Sequence, residues 1–227
     1  MARYDAYLFD VQGTLLDFHT PVTAALSAHL PEAPTDLPAR IARRWRTEYF
    51  TRVAALDQSV NRWTRVQDVY ADALPAVAAE FGVEIDDTRA RELADAWRRL
   101  LPWPDTVEGI RTLRQSALVA PLSNTDMATV IGMSKRLGID WDAVLTAEAF
   151  GAFKPEARVY ERALRFLGID DPSRAVMVAS HPYDLRAARE HGMRTVFVYR
   201  PLEHGDARYA EDATEFDHRV DDVRDIP

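Results

Sequence analysis

The stretch Asp5-Ala-Tyr-Leu-Phe-Asp10-Val-Gln-Gly-Thr14 decides how this chain folds. A short apolar run stops at a carboxylate and then at Gly-Thr. Such a run, bounded by a turn signal, reads as a buried strand of a parallel sheet. Its end projects Asp10 from the carboxyl edge of that sheet, where open α/β folds hold their ligands. Gly13 lets the backbone turn and approach a ligand closely. An ordinary strand-to-loop turn has the same composition, so the rest of the chain must decide between the two.

Further apolar runs at 118–122, 144–145, 175–179 and 195–199 read as core strands. Helical stretches at 108–115, 128–137, 156–167 and 184–191 separate them, the last two stopping at Gly168 and Gly192. Strands alternating with helices specify a doubly wound parallel sheet. Residues 17–100 contain no convincing strand. Ile41, Trp45, Tyr49, Val53 and Leu56 share one helical face, and Trp63, Val66 and Tyr70 continue the pattern. Another helix runs over 88–100, and Pro75 is expected to kink or break the segment before it. The fold expected is therefore α/β. A Rossmann-like core is formed by residues 1–16 and 101–227, with an α-helical cap inserted at 17–100. Lying directly after Asp10, the insertion is placed to act as a lid; a helical subdomain without a gating role is the alternative.

Composition removes several function classes. The net charge of −8 over 227 residues disfavours nucleic acid as a main partner. The absence of cysteine excludes disulfides, thiolate catalysis and cysteine metal sites. No segment approaches the roughly 20 apolar residues of a membrane span. No cleavable leader is evident at the N-terminus, so a cytoplasmic protein is expected. No glycine-rich phosphate loop supports nucleotide binding. His19, His29, His191, His204 and His218 lack metal-ligand spacing and are expected at the surface. The tryptophans are expected to pack the helical insertion and its interface. The acidic stretch 211–225 is expected to hold a short edge strand and a solvated end.

Three other segments repeat the logic of Asp10. Ala120-Pro-Leu-Ser123-Asn124-Thr125 puts a hydroxyl and an amide after an apolar run. Phe153-Lys154-Pro155 places a lysine ahead of a helix, with Pro155 suited to its first turn. Val176-Met-Val-Ala179-Ser180-His181-Pro-Tyr183-Asp184 ends a fourth run with polar groups and a carboxylate. Singly, these are ordinary loops and helix caps. Together they resemble the four ordered motifs of the haloacid dehalogenase-like hydrolases, and the helical insertion is similar to that superfamily's cap.

Details resemble one branch, the L-2-haloacid dehalogenases (type II). Phosphatases of the superfamily carry a second aspartate two residues after the nucleophile, as general acid for the leaving oxygen. Here that position is Gln12, which cannot shuttle a proton. Lys154-Pro-Glu-Ala-Arg-Val-Tyr160 and Arg200-Pro-Leu-Glu-His are similar to segments of this branch. Trp45-Arg46 resembles its halide-binding arginine and neighbour, with Arg43 and Arg44 as competing assignments.

The resemblance implies a set of roles. Asp10 is the nucleophile, kept ionised by Lys154 and oriented by Thr14. Ser123 and the backbone N–H groups after Asp10 hold the substrate carboxylate. Arg46 and Asn124 receive the halide, and Gln12 and Ser180 line the substrate site. Tyr160 braces Lys154 or the carboxylate, and Asp184 orients or activates the hydrolytic water. The best-known members have an aromatic residue at Gln12, and a serine and an asparagine at Ala179 and His181. His181 is assigned to the hydrolytic water or to a small leaving group such as fluoride, against a plain loop histidine. The implied reaction converts small (S)-2-haloacids, haloacetates included, to 2-hydroxyacids without a cofactor. The partners are the haloacid and halide, with a homodimer suggested by the family. Three alternatives stay open: a phosphatase holding Mg²⁺ with Asp10, a backbone carbonyl and Asp184; a carbon–nitrogen hydrolase of a small cyclic amino acid; and a non-catalytic small-acid binder.

Overall fold

A computed structural model describes residues 4–56, 63–205 and 214–227. Strand β1 (Ala6–Phe9) is buried at every residue, as its uninterrupted apolar sequence requires. It lies inside a six-stranded sheet of order β5-β4-β1-β6-β7-β8. The other members are β4 (Leu118–Ser123), β5 (Leu145–Thr146), β6 (Ala175–Ala179), β7 (Arg194–Val198) and β8 (His218–Val220). All five pairings are parallel. Phe9 is level with Pro121 of β4 on one side and Val178 of β6 on the other, so the carboxyl ends of the three strands open on one edge.

The two-residue period of the strands divides the core between the faces of the sheet. Tyr7, Phe9, Val119, Val176 and Val178 point into one cluster with Ile110 of α5 (Thr106–Leu113) and Met133 of α6 (Met127–Leu137). Leu8, Ala120, Leu122 and Met177 point into the other. There they meet Phe150 of α7 (Ala147–Phe150), Val159 and Ala163 of α8 (Ala157–Phe166) and Leu185 of α9 (Pro182–Glu190). A doubly wound α/β fold results, as the alternation of elements implied. Helix α8 starts two residues after Pro155, which lies in the approach to the helix and not in its first turn. Of the acidic end, β8 pairs with β7 at the sheet edge, while residues 211–213 lie outside the described segments.

Between β1 and β4 the chain is mainly helical: α1 (His19–His29), α2 (Leu37–Ala54), α3 (Val66–Ala79), α4 (Asp87–Ala94) and a 3-10 turn at Asp95–Arg98. Two short strands, β2 (Leu16–Asp17) and β3 (Leu101–Pro102), pair antiparallel where this segment leaves and rejoins the sheet. Neither was expected from sequence; two residues are too few for periodicity to register. Ile41, Trp45, Tyr49 and Val53 are buried along one face of α2, as the spacing predicted. Pro75 lies inside α3, which continues through it. Eight of the helix's residues are buried, among them Val69, Tyr70, Leu74 and Val77. That packing outweighs a penalty of about 3 kcal/mol for an interior proline. Trp45, Tyr70 and Trp97 form the centre of the segment, with the Tyr70 and Trp97 rings stacked 3.9 Å apart. These rings belong to the same apolar cluster as Phe9 and Val178, so one core spans helices and sheet.

Asp126, buried after β4, fastens the two regions. Its carboxylate accepts from Trp63 Nε1 at 3.0 Å, Val66 N at 2.9 Å and Gln67 N at 3.0 Å, satisfying free N–H groups in the first turn of α3. Asp126→Ala strips all three donors of their acceptor. Urea denaturation should show a loss of about 2–3 kcal/mol; a loss below about 0.5 kcal/mol, the range of a neutral surface change, would show that the tie is not structural.

Candidate active site

Asp10 follows β1 and is 6% exposed. Its N–H donates to the Val178 carbonyl at 3.0 Å, which keeps the chain on the sheet for one more residue. The turn beyond passes through Gly13 at φ 93°, a conformation suited to glycine. A Cβ there would lie 2.1 Å from Glu203 Oε1 and 3.0 Å from His181 Cε1. The space that this glycine frees is thus filled by the protein's own Glu203 and His181, and not by a ligand as the sequence suggested.

Both Asp10 oxygens have partners. Lys154 Nζ donates to Oδ1 at 3.0 Å and Thr14 Oγ1 donates to Oδ2 at 2.9 Å. His181 Nδ1 lies 3.0 Å from the same Oδ2. Lys154 pairs on its other side with Asp184, and Tyr160 donates to Asp184 Oδ1 at 2.6 Å. The opposite nitrogen of His181 lies 2.7 Å from Glu203 Oε1. Ser180 Oγ donates to Glu203 Oε2 at 3.2 Å, while Ser180 N donates to Thr14 Oγ1 at 2.8 Å.

Burial alone would push the Asp10 carboxyl up. The Lys154 charge, together with His181, outweighs it and holds Asp10 well below the usual carboxylate range. Burial likewise works against the Lys154 cation, and Asp10 and Asp184 overcome it. Asp184 moves the other way: burial pushes it up, Lys154 offsets only part, and the Asp10 charge adds to the rise. Burial disfavours the His181 cation too, yet Glu203 and Asp10 push its pKa up to about 10 from an ordinary 6.5. At neutral pH His181 is therefore an imidazolium donating from both nitrogens.

Of the three candidate arginines of α2, Arg43, Arg44 and Arg46, only Arg46 enters this region. Arg44 pairs with Glu48 and Glu80 at the surface, and Arg43 reaches His19 and the His204 carbonyl. The Arg46 guanidinium donates to Gln12 Oε1 at 2.7 Å and to Tyr70 OH at 2.6 Å. Tyr70 OH donates in turn to Gln12 Oε1 at 3.0 Å. The rings of Phe18, Tyr49, Phe50 and Trp97 surround it, Phe50 nearest at 4.6 Å. Arg46 Nε is buried without a hydrogen-bond partner, a donor left over in an apolar box.

Several side chains have partners other than those the sequence suggested. The Asn124 amide is committed to the Lys154 backbone: Oδ1 accepts from Lys154 N at 2.7 Å and Nδ2 donates to Lys154 O at 3.3 Å. It positions the lysine loop. Tyr160 bonds Asp184 and so braces Lys154 only at one remove. Ser180 faces Thr14 and Glu203. Ser123 Oγ donates to Thr125 Oγ1 and accepts from Thr125 N, both at 3.1 Å. Glu203 and Tyr70 were absent from the expected site. Tyr70 registered only as a core position. Glu203, 1% exposed, sits in a loop where a carboxylate ordinarily reads as solvated. Only its place in the Arg200-Pro-Leu-Glu-His segment marked it. That loop is pinned by Arg200, whose guanidinium binds Asp105 at 2.9 Å and the Thr14 carbonyl at 2.9 Å.

The magnesium alternative needs free oxygens on Asp10 and Asp184. Those oxygens are bound by an ammonium, a phenol, a hydroxyl and an imidazolium, so the donor set does not fit a divalent cation. The linkage to pH has a definite sign. A folded pKa above the unfolded one means that the His181 contribution is complete below pH 6.5 and lost as pH rises through about 10. The depressed Asp10 value acts oppositely, its contribution being complete above its ordinary 3.8 and lost in acid. The stability advantage of the wild type over His181→Asn should therefore shrink between pH 6.5 and 10. An advantage constant over that window would contradict a charged His181.

A profile of the haloacid dehalogenase-like hydrolase family matches residues 4–192. An (S)-2-haloacid dehalogenase of Pseudomonas putida is 29% identical over 203 residues, covering 88% of each chain. A crystal structure of an L-2-haloacid dehalogenase superposes with a TM-score of 0.83 at 33% identity, over 97% of this chain and 96% of that one. A defluorinating L-2-haloacid dehalogenase gives 0.86 at 29% identity, over 98% and 93%. The matched residues include Asp10, Lys154 and Asp184 with strands β1, β4, β5 and β6, and the chain belongs to the haloacid dehalogenase-like hydrolases.

Proposed function

We propose that this protein displaces halide from the α-carbon of small (S)-2-haloacids and releases 2-hydroxyacids. The observation that carries the proposal is the Gln12–Arg46 contact. An aspartate at position 12 would supply the acid that an oxygen leaving group needs, and it would also neutralise Arg46. The amide does neither. It orients the guanidinium by a hydrogen bond and leaves its positive charge available to an anion. A desolvated cation inside aromatic rings suits a departing halide, which needs no proton. The named activities of the dehalogenase relatives support the same reading.

In this reading Asp10 attacks the α-carbon and becomes an ester, as halide leaves toward Arg46. Lys154 keeps the nucleophile ionised, and Thr14 fixes the direction of its lone pairs. Ser123 and the N–H groups after Asp10 hold the substrate carboxylate. Asp184 and Asn124 act by holding Lys154. Water then cleaves the ester. Residues 17–100 serve as a cap: they bring Arg46 and Tyr70 over Asp10, and they must part from the sheet edge to admit substrate. No metal takes part.

Asp10→Asn should abolish chloride release from (S)-2-chloropropionate, and release by the wild type should persist in EDTA. Arg46→Lys keeps charge but loses the planar fork, and kcat should fall about 10²–10³-fold. Full activity in Asp10→Asn, or none in EDTA, would rule the proposal out.

A further inference from the structure

A groove of about 290 Å³ lies between the helical segment and the sheet domain, and its walls share no residue with the candidate active site. One wall is the 3-10 turn, with Asp95, Arg98 and, just after it, Arg99. The other is α6, with Thr129, Gly132 and Arg136. We infer that the groove is a second anion site, which takes a small dianion, a phosphate or a dicarboxylate, and that the bound dianion ties the helical segment to the sheet domain.

The charge in the groove calls for an anion. Three guanidinium groups face one carboxylate, in a chain whose net charge is −8. Exposed arginines elsewhere have carboxylate partners, as Arg89, Arg111, Arg114 and Arg224 do. Here the Arg99 side chain makes no hydrogen bond or ion pair among the described residues. Arg136 donates to the Leu100 carbonyl at 2.7 Å and pairs with no carboxylate among those residues. Arg98 reaches Asp95 at 3.4 Å, but both side chains are about half exposed, and such a pair is weak. The groove thus holds an excess of two positive charges, which repel one another until an anion enters. A dianion matches that excess, and phosphate and carboxylate oxygens fit the planar fork of arginine.

Two features of α6 point to a ligand independently of charge. Thr129 is 7% exposed and lines the groove, and its hydroxyl has no hydrogen-bond partner among the described residues. A buried hydroxyl left unpaired is unfavourable, and an anion oxygen would accept from it. Gly132 lies inside the helix, where glycine is destabilising relative to alanine. Gly109, inside α5, has a packing reason: a Cβ there would lie 2.6 Å from Val223 Cγ1. A Cβ on Gly132 would meet nothing within 4 Å. No described protein atom requires this glycine, and what it keeps clear is the groove, one helical turn before Arg136.

The location gives the site its consequence. Arg136 bonds Leu100, the residue before β3, so the two walls meet where the helical segment returns to the sheet. A dianion held by Arg98 and Arg99 on one side and by Thr129 and Arg136 on the other spans that joint. It favours the arrangement with both walls together and slows an opening that admits substrate. Only this effect on turnover rests on the proposed reaction; binding does not.

The test is isothermal titration calorimetry with inorganic phosphate and with succinate, in mildly alkaline buffer at an ionic strength held constant with sodium chloride. Phosphate is the dianion there, and constant salt keeps general screening equal. The wild type should bind one equivalent of phosphate, of succinate or of each, the tighter one naming the class. Arg99→Ala changes one wall, and Gly132→Glu puts a carboxylate into the groove from the other. Each should weaken binding about tenfold or more. Both variants should release chloride from (S)-2-chloropropionate at the wild-type rate without the dianion. Adding the dianion that binds should slow release by the wild type and not by the variants. No binding of either dianion by the wild type, or equal binding by the variants, overturns the site. Weakening in only one variant places the anion on one wall and overturns the tie. Weakening in both, with turnover indifferent to the dianion, overturns the effect on opening and leaves the site standing. Chloride release by none of the proteins counts against the proposed reaction, while the calorimetry still decides the site.

Discussion

The negative charge of Asp10, buried at the edge of the sheet, is the constraint around which the rest of the site is arranged. A carboxylate taken out of water without partners costs several kcal/mol and protonates instead. Here it stays ionised because three parts of the chain deliver compensation to one point: Thr14 from the turn after β1, Lys154 from the loop before α8, and His181 from the start of α9. The parallel sheet makes this possible, since three neighbouring strands end at the same level and their loops share one edge. Remote positions serve the same point. Asn124 and Arg200 contact no oxygen of Asp10, yet one fixes the Lys154 backbone and the other the Thr14 carbonyl and the Glu203 loop.

A second charge arrives from the helical segment. Arg46 is buried among aromatic rings, and its acceptors on the sheet side are two neutral groups, the side-chain and backbone carbonyls of Gln12. Desolvating a guanidinium in this way is unfavourable; the Glu203 carboxylate acts on it only from a distance, and an anion in contact would supply the missing compensation. A transient anion between Arg46 and Asp10 would do so, and this ties the helical segment to the chemistry at the sheet edge. The shared core and the Asp126 contacts hold the two regions in register.

The sheet was legible from the sequence because buried parallel strands are continuous apolar runs, and each observed core strand falls within a residue or two of such a run. The four motifs were legible because polar residues at strand ends are few and recur in order. Less visible was how each side chain is partnered. The resemblance set Asn124 toward the halide, Ser180 toward substrate and Tyr160 against Lys154 or the substrate carboxylate; in the fold they bond to Lys154, Glu203 and Asp184 respectively. Polar groups adjacent in space satisfy one another first, and that choice depends on loop paths with no periodic signature. Glu203 is the clearest case, brought to His181 by a loop distant in the chain. The choice among Arg43, Arg44 and Arg46 has the same character: neighbours on a helix point about 100° apart, so only the packed orientation selects Arg46. Pro75 does not break α3 because the packing of that helix outweighs local propensity.

The most direct test of the account is a single turnover of (S)-2-chloropropionate in water enriched in heavy oxygen, with excess enzyme. Mass analysis would then be made of the hydroxyacid and of the peptide that carries Asp10. If Asp10 attacks carbon and water attacks the ester, the label enters the Asp10 carboxylate and the hydroxyacid is unlabelled. Label in the hydroxyacid, with none on Asp10, would mean that water attacks the substrate directly and that the buried carboxylate serves some other purpose.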